Sequence, residues 1–341
     1  MSATIKDIAR ETGLGLATIS SYLNGGNVRE KNRVKIEAAI KDLHYEINEV
    51  ARAVRTNRSM TIGVVIPELN NTFCAEIITS MEDEFRKKGY ATMVCDCRTD
   101  KALEKESLAF LYRKRVDGIV NMPVDTSGQN LKIFESAGRP IILIDRKIDN
   151  LTCDGIFVDN KNAAKNAILK FLEKGHRKIG IIADPSNIYP ARSRLLGYKE
   201  ALREYGLEPE KRLICYGDCT IRGGIEGFNE LYRNCEDMTA LFIPNHEMTL
   251  GALIAINEKG IPIPKKLSFA GFGNEDFAKA FSPALTLITQ PTDKIGKQVA
   301  ETMLSRLEGT DEEKDRPPHD FCFQTGLFAG RTIAEPENTA V

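Results

Sequence analysis

The feature that most limits how this chain can fold is a strand–helix plan that runs through it twice. From Thr61 onward, short apolar runs alternate with helical stretches. "TIGVVIPEL" and "ATMVCDC" read as strands around a helix over 75–88, in which Ile77, Ile78, Met81 and Phe85 make an apolar stripe. "VDGIVNM" and "PIILIDR" follow, each after a helical stretch. The order then restarts with "KIGIIAD", a helix over 194–205 ending at Gly206, "RLICYGD", "TALFIPN" and "LSFAGFG". The copies match as IGVVIP with IGIIAD, RVDGIV with DMTALFI, and PIILID with LSFAGF; the helices ahead of each third strand end alike, at "ESAG" and "NEKG". Repeated βα units imply an α/β fold with parallel sheets and ligand sites at the C-terminal ends of the strands. One large doubly wound domain would use the same units, but a restart favours two lobes facing a cleft.

Composition narrows the function classes. The chain is 42% hydrophobic and 28% charged, an ordinary globular mixture. No stretch of it approaches the roughly 18 apolar residues of a membrane span, "TLGALIAIN" being a typical apolar run, so no membrane partner is expected. The start, "MSATIKDIAR", has charges and no apolar secretory core, which makes the cytoplasm the expected location. Net charge is −1, but it is unevenly spread. Residues 1–60 hold 10 Lys and Arg against 7 acidic residues, and the remainder holds 37 against 41. A basic head on an acidic body fits a nucleic-acid-binding head. The eight cysteines form no C-x-x-C pair. Cys95 and Cys97 alternate on a strand and share a face; Cys215 and Cys219 are too far apart for half a zinc knuckle. Reduced core thiols are expected, with no metal site and no cofactor.

The first 45 residues read as three short helices. Thr4 is an N-cap with Asp7 three positions on, Ile5, Ile8 and Ala9 have helical spacing, and Gly13 ends the helix. A second helix runs from about Leu16 to Asn24 and meets Gly25-Gly26. A third runs from about Glu30 to His44, with Val34, Ala38 and Leu43 repeating on one side. A helix, a tight turn containing glycine, and a second helix make the helix-turn-helix outline. On the second helix Ile19 and Leu23 face inward, while Ala17, Ser20, Ser21 and Asn24 fall on the opposite face. Short hydroxyl and amide side chains suit close approach to a duplex, donating to phosphates or meeting thymine methyls; a merely solvated face more often carries Lys and Glu.

"TIKDIARETGLGLATISSYLNGG" resembles the DNA-binding segment of the lactose-repressor (LacI/GalR) family. The resemblance continues in order through "ARAVRT", "TIGVVIP", "KRVDGIV", "IDR", "VDN", "KGHRKIGII", "RLLGY", "LGAL", "GF" and "SPALTLITQP", covering about residues 3–333. It implies a homodimeric transcriptional regulator, usually a repressor, with a periplasmic-binding-protein-like core that senses a small molecule. It also implies a recognition helix in the major groove. Thr4, Leu16, Ala17, Thr18, Ser20, Ser21, Asn24 and Arg29 match DNA-contacting positions. Ser21 stands where most members have arginine, whose bidentate contact to guanine discriminates by about 1–3 kcal/mol. A different operator base pair there, or more weight on other contacts, is therefore expected. Gly15 and Arg29 replace serine-type caps. Residues 47–59 match a hinge helix that pairs in the minor groove. Asn48, Ala51 and Arg52 belong to that motif, and Val54 takes the place of a wedging leucine, shorter and stiffer at χ1. Asn57 stands where a glycine is usual. An isolated helix this short is marginal in water, so the family's hinge orders on DNA.

The resemblance puts an effector between the lobes, contacted by Phe73, Asp145, Arg146, Arg194, Asn245, His246 and Gly273. Here "Asn71-Thr72-Phe73-Cys74" keeps only one of two loop aromatics, and His246 and Gly273 stand at two positions where aspartate is usual. Carboxylates suit vicinal diols because they accept charge-assisted hydrogen bonds, so the ligand is left open among a sugar, a sugar phosphate and another metabolite. Each residue also has a plainer use: Phe73 in the core, Asp145 as a helix cap, Arg194 on a surface carboxylate. The implied organisation is a head over 1–46, the hinge over 47–59, a first core subdomain over 60–160 and 290–322, and a second over 161–289 and 323–341. The tail "EPENTAV" has no leucine heptads for a tetramer zipper. Enzymatic readings find no support: "HEMTL" lacks the second histidine of a zinc pair, "IGKQ" lacks the rest of a phosphate loop, and there is no G-x-S-x-G. The rival is a solute-binding protein without a DNA role, which the extra head and the missing secretory signal oppose.

Overall fold

The computed structural model describes residues 3–23, 26–45, 53, 56–185 and 188–337. The chain divides into two compact units, Met1–Met60 and Thr61–Val341.

The first unit contains α1 (Ile5–Thr12), α2 (Leu16–Leu23) and α3 (Glu30–Asp42). The Asp7 carboxylate accepts from the Thr4 N–H at 2.9 Å and from its hydroxyl at 2.7 Å, tying down the first turn of α1. Gly13 ends the helix in a left-handed conformation, φ 67°, its N–H on the Ala9 carbonyl. The core is small: Ile8, Ile19, Ile36 and Ala39 are buried, with Leu14, Leu23, Ile40 and Leu43 packed against them. Of the expected stripe Val34, Ala38 and Leu43, only Leu43 faces the core; Val34 and Ala38 are exposed. Val34 is 58% exposed, and the inward stripe is Ile36, Ala39, Ile40 and Leu43. Both stripes have helical period; the one with two isoleucines removes more apolar surface from water.

The second unit opens with β1 (Thr61–Ile66), α4 (Thr72–Lys87), β2 (Ala91–Asp96), α5 (Lys101–Arg113), β3 (Gly118–Asn121), α6 (Lys132–Ser136), β4 (Ile141–Ile144) and β5 (Asp154–Val158). The plan then repeats as α7 (Asn160–Glu173), β6 (Ile179–Ala183), α8 (Tyr189–Glu204), β7 (Ile214–Tyr216), α9 (Ile221–Asn234), β8 (Ala240–Ile243), α10 (His246–Glu258), β9 (Ser268–Phe272), α11 (Glu275–Lys279) and β10 (Thr286–Thr289). It closes with α12 (Thr292–Glu308), α13 (Asp311–Asp315), β11 (Asp320–Phe323) and β12 (Gly326–Phe328). There are two separate six-stranded sheets, ordered β11-β5-β4-β3-β1-β2 and β12-β10-β9-β8-β6-β7. All neighbours run parallel except β12, which is antiparallel to β10. The order reverses between β1 and β3 in one sheet and between β6 and β8 in the other, so each has a crevice at its strand C-termini.

Central strands such as "IILI" and "IGIIA" are buried throughout, as strands covered by helices on both faces must be. The helix read over 75–88 begins earlier, at Thr72, because the Asn71 side chain caps it by accepting from the Cys74 N–H at 3.1 Å. The helix read over 194–205 likewise begins at Tyr189, with Pro190 in its first turn. Gly251 lets α10 cross α9 backbone to backbone; a Cβ there would run into the Ile221 carbonyl. The cysteines follow expectation in part. Cys97 is buried in the first sheet's cluster and Cys95 packs against it, but Cys322 is exposed.

His176 fastens the C-terminal segment. Its Nε2 lies 2.8 Å from the Ala334 carbonyl, which calls for a proton there, leaving Nδ1 to accept from the Thr239 hydroxyl at 2.8 Å. Burial, with Arg177 adding to it against the Ala334 bond, holds the imidazole below its usual pKa. The unfolded chain then takes up a proton that the folded chain resists. Stability is expected to fall as pH drops below about 6.5, the free value. Thermal melts between pH 7.5 and 5.5 test this: the slope should be smaller in His176→Gln, and equal slopes would remove His176 from the account.

Candidate DNA-binding face and effector cleft

In the first unit, α2 turns Ile19 fully inward and leaves Leu16 46% exposed beside an exposed Ala17. Thr18, Ser20 and Ser21 are half-buried along the same helix. Gly15 starts it, its carbonyl accepting from Thr18 and Ile19 N–H at 3.0 and 3.3 Å. No acidic residue sits in the first turn and no basic residue in the last. An exposed leucine and alanine flanked by hydroxyls make a low, uncharged face that can come close to base edges.

In the second unit, strand C-termini from both sheets converge on one group of charges. Asp145 follows β4 in the left-handed region, φ 62°, with its N–H on the Ile156 carbonyl at 3.0 Å. Such a conformation costs about 1–3 kcal/mol at a non-glycine residue and is held by its surroundings. Its carboxylate is buried, and Oδ1 has no hydrogen-bond partner. Burial raises its pKa, and Arg194 from the other lobe, with Arg146, offsets part of the rise. Arg146 donates from Nη1 to the Pro123 carbonyl at 3.2 Å, while its buried Nε has no partner.

Facing them, Asp184 follows β6 and Arg194 projects from α8; both are buried. Arg194 donates from Nε to Asn160 Oδ1 at 2.8 Å, and from Nη1 to Asp184 Oδ2 at 3.3 Å and the Pro244 carbonyl at 2.5 Å. Its guanidinium lies 4.4 Å from the Phe272 ring centroid. The Cys219 thiol, itself on a residue at φ 65°, donates to Asp184 Oδ1 at 3.5 Å. Burial pushes Asp184 up to about 6, against the pull of Arg194 and with a further push from the negative charge of Asp145. Two hydrogen-bonded contacts latch the lobes together around this group. Asn71 Nδ2 donates to Glu247 Oε1 at 3.0 Å, and Glu76 accepts from Asn274 Nδ2 at 3.1 Å while also held, within its own lobe, by the Thr292 hydroxyl at 2.8 Å. Glu247 Oε2 is shielded and has no partner. Among the described residues, no group of three or more His, Cys, Asp or Glu side chains could hold a metal ion.

Two family profiles match the chain. "Bacterial regulatory proteins, lacI family" covers residues 4–53, and "Periplasmic binding proteins and sugar binding domain of LacI family" covers residues 59–325. The chain belongs to the LacI family. Among relatives, the HTH-type transcriptional repressor PurR of Photobacterium profundum is 30% identical over 92% of this chain and 94% of its own. The HTH-type transcriptional repressor CytR of Escherichia coli (strain K12) is 30% identical over 90% and 91%. The solved lac repressor dimer bound to operator and the anti-inducer ONPF shares the fold, with a TM-score of 0.85 and 23% identity over 98% of this chain and all of that one. This LacI-family protein is a DNA-binding transcriptional regulator with an effector-binding domain, and not an enzyme; its relatives are repressors. A solute-binding protein without a DNA role does not account for the head profile.

The residues expected at the two sites fare differently. Leu16 and Ala17 are on the open face of α2, with Thr18, Ser20 and Ser21 less exposed than the projection implies. The Thr4 hydroxyl is already given to Asp7. Arg29 is exposed ahead of α3 and makes no side-chain cap. Asn24, Asn48, Ala51, Arg52 and Val54 lie outside the described residues. In the cleft, Asp145, Arg146 and Arg194 come together. Asp145 caps no helix, and the carboxylate on Arg194 is buried rather than superficial. Phe73 is half-buried in the first turn of α4, not in a loop. Asn245 caps α10 by accepting from the Met248 N–H at 2.9 Å. His246 packs its ring 4.7 Å from Phe277, and a Cβ on Gly273 would press on Phe277, Leu287 and His246. Gly273 also gives its N–H to the Ile288 carbonyl, so it offers a ligand no donor. The two positions where aspartate is usual are thus neighbours here, Gly273 lying beneath the packed His246 and Phe277 rings.

Sequence reasoning missed Asp184, Cys219 and Glu247. Asp184 had a signal, since it ends "KIGIIAD" just as Asp145 ends "PIILID" in the other copy of the repeat. Cys219 and Glu247 had none, because their partners come from distant elements.

Proposed function

We propose that this LacI-family regulator reads a pseudo-palindromic operator as a homodimer and that a small molecule held between its lobes sets its affinity. The observation that carries the reading is the open, uncharged face of α2, with Leu16 46% exposed. A large aliphatic left in water on a helix with so small a core suits the major groove, where Leu16, Ala17, Thr18, Ser20, Ser21 and Asn24 meet bases and backbone and Thr4 and Arg29 approach phosphates. Asn48, Ala51, Arg52 and Val54 are assigned to the minor groove at the operator centre. The moving bodies of the core are 60–160 with 290–322 and 161–289 with 323–341, and the cytoplasm is where the protein works. A sugar, a sugar phosphate or another metabolite between them biases how they close, by contacts that differ between open and closed states.

Selection of bound duplexes from a random pool at near-physiological salt tests this. The expected result is one enriched palindrome with half-sites about a helical turn apart. Affinity for it should fall steeply as salt rises, because phosphate contacts release counterions. Enrichment without symmetry, or affinity indifferent to salt, counts against the reading.

A further inference from the structure

The polar groups of the cleft fall into two sets: those whose hydrogen bonds are met within the chain and those that are not. Arg194 belongs to the first. Its Nε is on Asn160 and its Nη1 is shared between Asp184 and the Pro244 carbonyl, and the guanidinium lies against Phe272. Asp184 belongs there too, with one oxygen on Arg194 and the other on Cys219. The second set consists of Asp145 Oδ1 and Glu247 Oε2, two shielded carboxylate oxygens, with Arg146 Nε as a donor. Nearby, the buried Cys74 thiol at the start of α4 lies 3.7 Å from Met122 Sδ, and burial, with the charges of Asp145 and Glu247, holds its proton against the pull of Arg146. The open valences of the cleft are thus mainly acceptors, and the arginine best placed to hold an anion is already neutralised by the chain itself.

We propose that Asp184 is a resident counter-ion that closes Arg194 to anionic ligands, so that this cleft takes an uncharged or cationic molecule rich in hydrogen-bond donors, and not a phosphorylated or carboxylated one. This rests on the reading of the cleft as the effector site. A phosphate brought to Arg194 would have to displace Asp184 or share the arginine with it, placing like charges together in a desolvated space. It would also meet the charge of Asp145, near enough from the other lobe for Arg194 to lower its pKa. Hydroxyl or ammonium donors meet the opposite situation. Each satisfies a buried acceptor that otherwise lacks a partner, and a bond to a charged carboxylate is among the stronger kinds. Two such acceptors on opposite lobes, Asp145 after β4 and Glu247 on α10, let one ligand hold the lobes together.

The test uses the full chain, titrated calorimetrically and by thermal shift with inorganic phosphate against chloride of equal ionic strength. The wild type is expected to show no saturable phosphate binding. In Asp184→Ala, which vacates the counter-ion's place, phosphate should bind at least tenfold more tightly than to the wild type and raise the melting temperature. The double variant Asp184→Ala with Arg194→Ala should lose that response. Saturable phosphate binding to the wild type that disappears in Arg194→Gln overturns the proposal, as does an Asp184→Ala protein indifferent to phosphate. Where the alanine variant does not fold, Asp184→Asn takes its place with the same expectation. The wild type is also titrated with glucose against glucose 6-phosphate and adenosine against adenosine 5′-phosphate. Tighter binding of either ester than its parent overturns the proposal. Phosphate rescue of Asp184→Ala by a protein that binds neither parent upholds the counter-ion and weighs against the cleft as effector site, so the two failures are told apart.

Discussion

Asp154→Asn should destabilise the core by roughly 3–5 kcal/mol at pH 7, the usual loss when one partner of a buried ion pair is removed. Asp154 opens β5 with its side chain 3% exposed. It accepts from Arg306 Nε at 2.7 Å and Nη2 at 3.1 Å, from Arg316 Nη1 at 3.0 Å and from the His319 N–H at 2.9 Å. Arg306, on α12, also donates to the carbonyls of Lys314 and Arg316 at 2.7 and 2.6 Å. One carboxylate therefore ties α12 and the segment after α13 to the start of β5, and so fixes where β11 joins its sheet. Asparagine keeps the shape but turns an NH2 group toward guanidinium donors and leaves Arg306, 12% exposed, without its counter-charge. The pH dependence carries a separate signature. Burial alone would raise the Asp154 pKa, but the bonds from Arg306 and His319 and the arginine charges hold it below the ordinary value. A carboxylate held low in the fold adds stability above its unfolded value, about 4, and loses it as pH falls through the lower folded value. Urea unfolding of the two proteins should therefore differ most near neutrality and converge below pH 4. A difference under 1 kcal/mol at pH 7 would mean that the guanidinium groups find other partners and that β11 is held by its backbone ladder alone.

The contrast between this clamp and the cleft shows what the sequence makes legible. Buried parallel strands announce themselves because both faces need apolar residues, so "TIGVVI", "IILI" and "IGIIA" are visible as a repeated plan, and with them the two sheets and the strand ends where ligands sit. Asp145 and Arg194 could be placed because motif and topology agree. The partners of Arg194 could not. Asn160, Asp184 and Pro244 lie 34, 10 and 50 residues away, and nothing in a linear pattern tells an engaged arginine from an open one. Glu247 is hidden for a similar reason. In "HEMTL" it looks like part of a failed zinc motif, whereas its partner Asn71 lies 176 residues back on the other lobe. Hydrogen bonds between lobes depend on how the lobes close, a property of packing rather than of local preference.

Ile36→Ser should abolish operator binding while the core melts as before. Among the described residues, the head buries only Ile8, Ile19, Ile36 and Ala39 outright. A unit of this size retains on the order of 3–5 kcal/mol from its core. Removing most of a buried isoleucine costs about 2–5 kcal/mol, and a serine hydroxyl shut away without a partner adds to that. The loss matches the whole stability, so the helix-turn-helix is largely unfolded and apparent affinity falls with its folded fraction, twice over in a dimer. Thr61–Val341 is a separate compact unit, so its transition should not move. Val34→Ser is the decisive companion. Spacing alone puts Val34 on the inner face of α3, yet it is 58% exposed, and exposed substitutions usually change stability by no more than about 0.5 kcal/mol. Both variants remove a β-branched aliphatic from one helix two residues apart, so propensity cannot separate them; only burial can. Binding to the selected operator, with helicity followed by circular dichroism, should therefore be lost in Ile36→Ser and near normal in Val34→Ser. The reverse ranking would restore the Val34 stripe and place the inner face of α3 on the side of the helix away from Ile36.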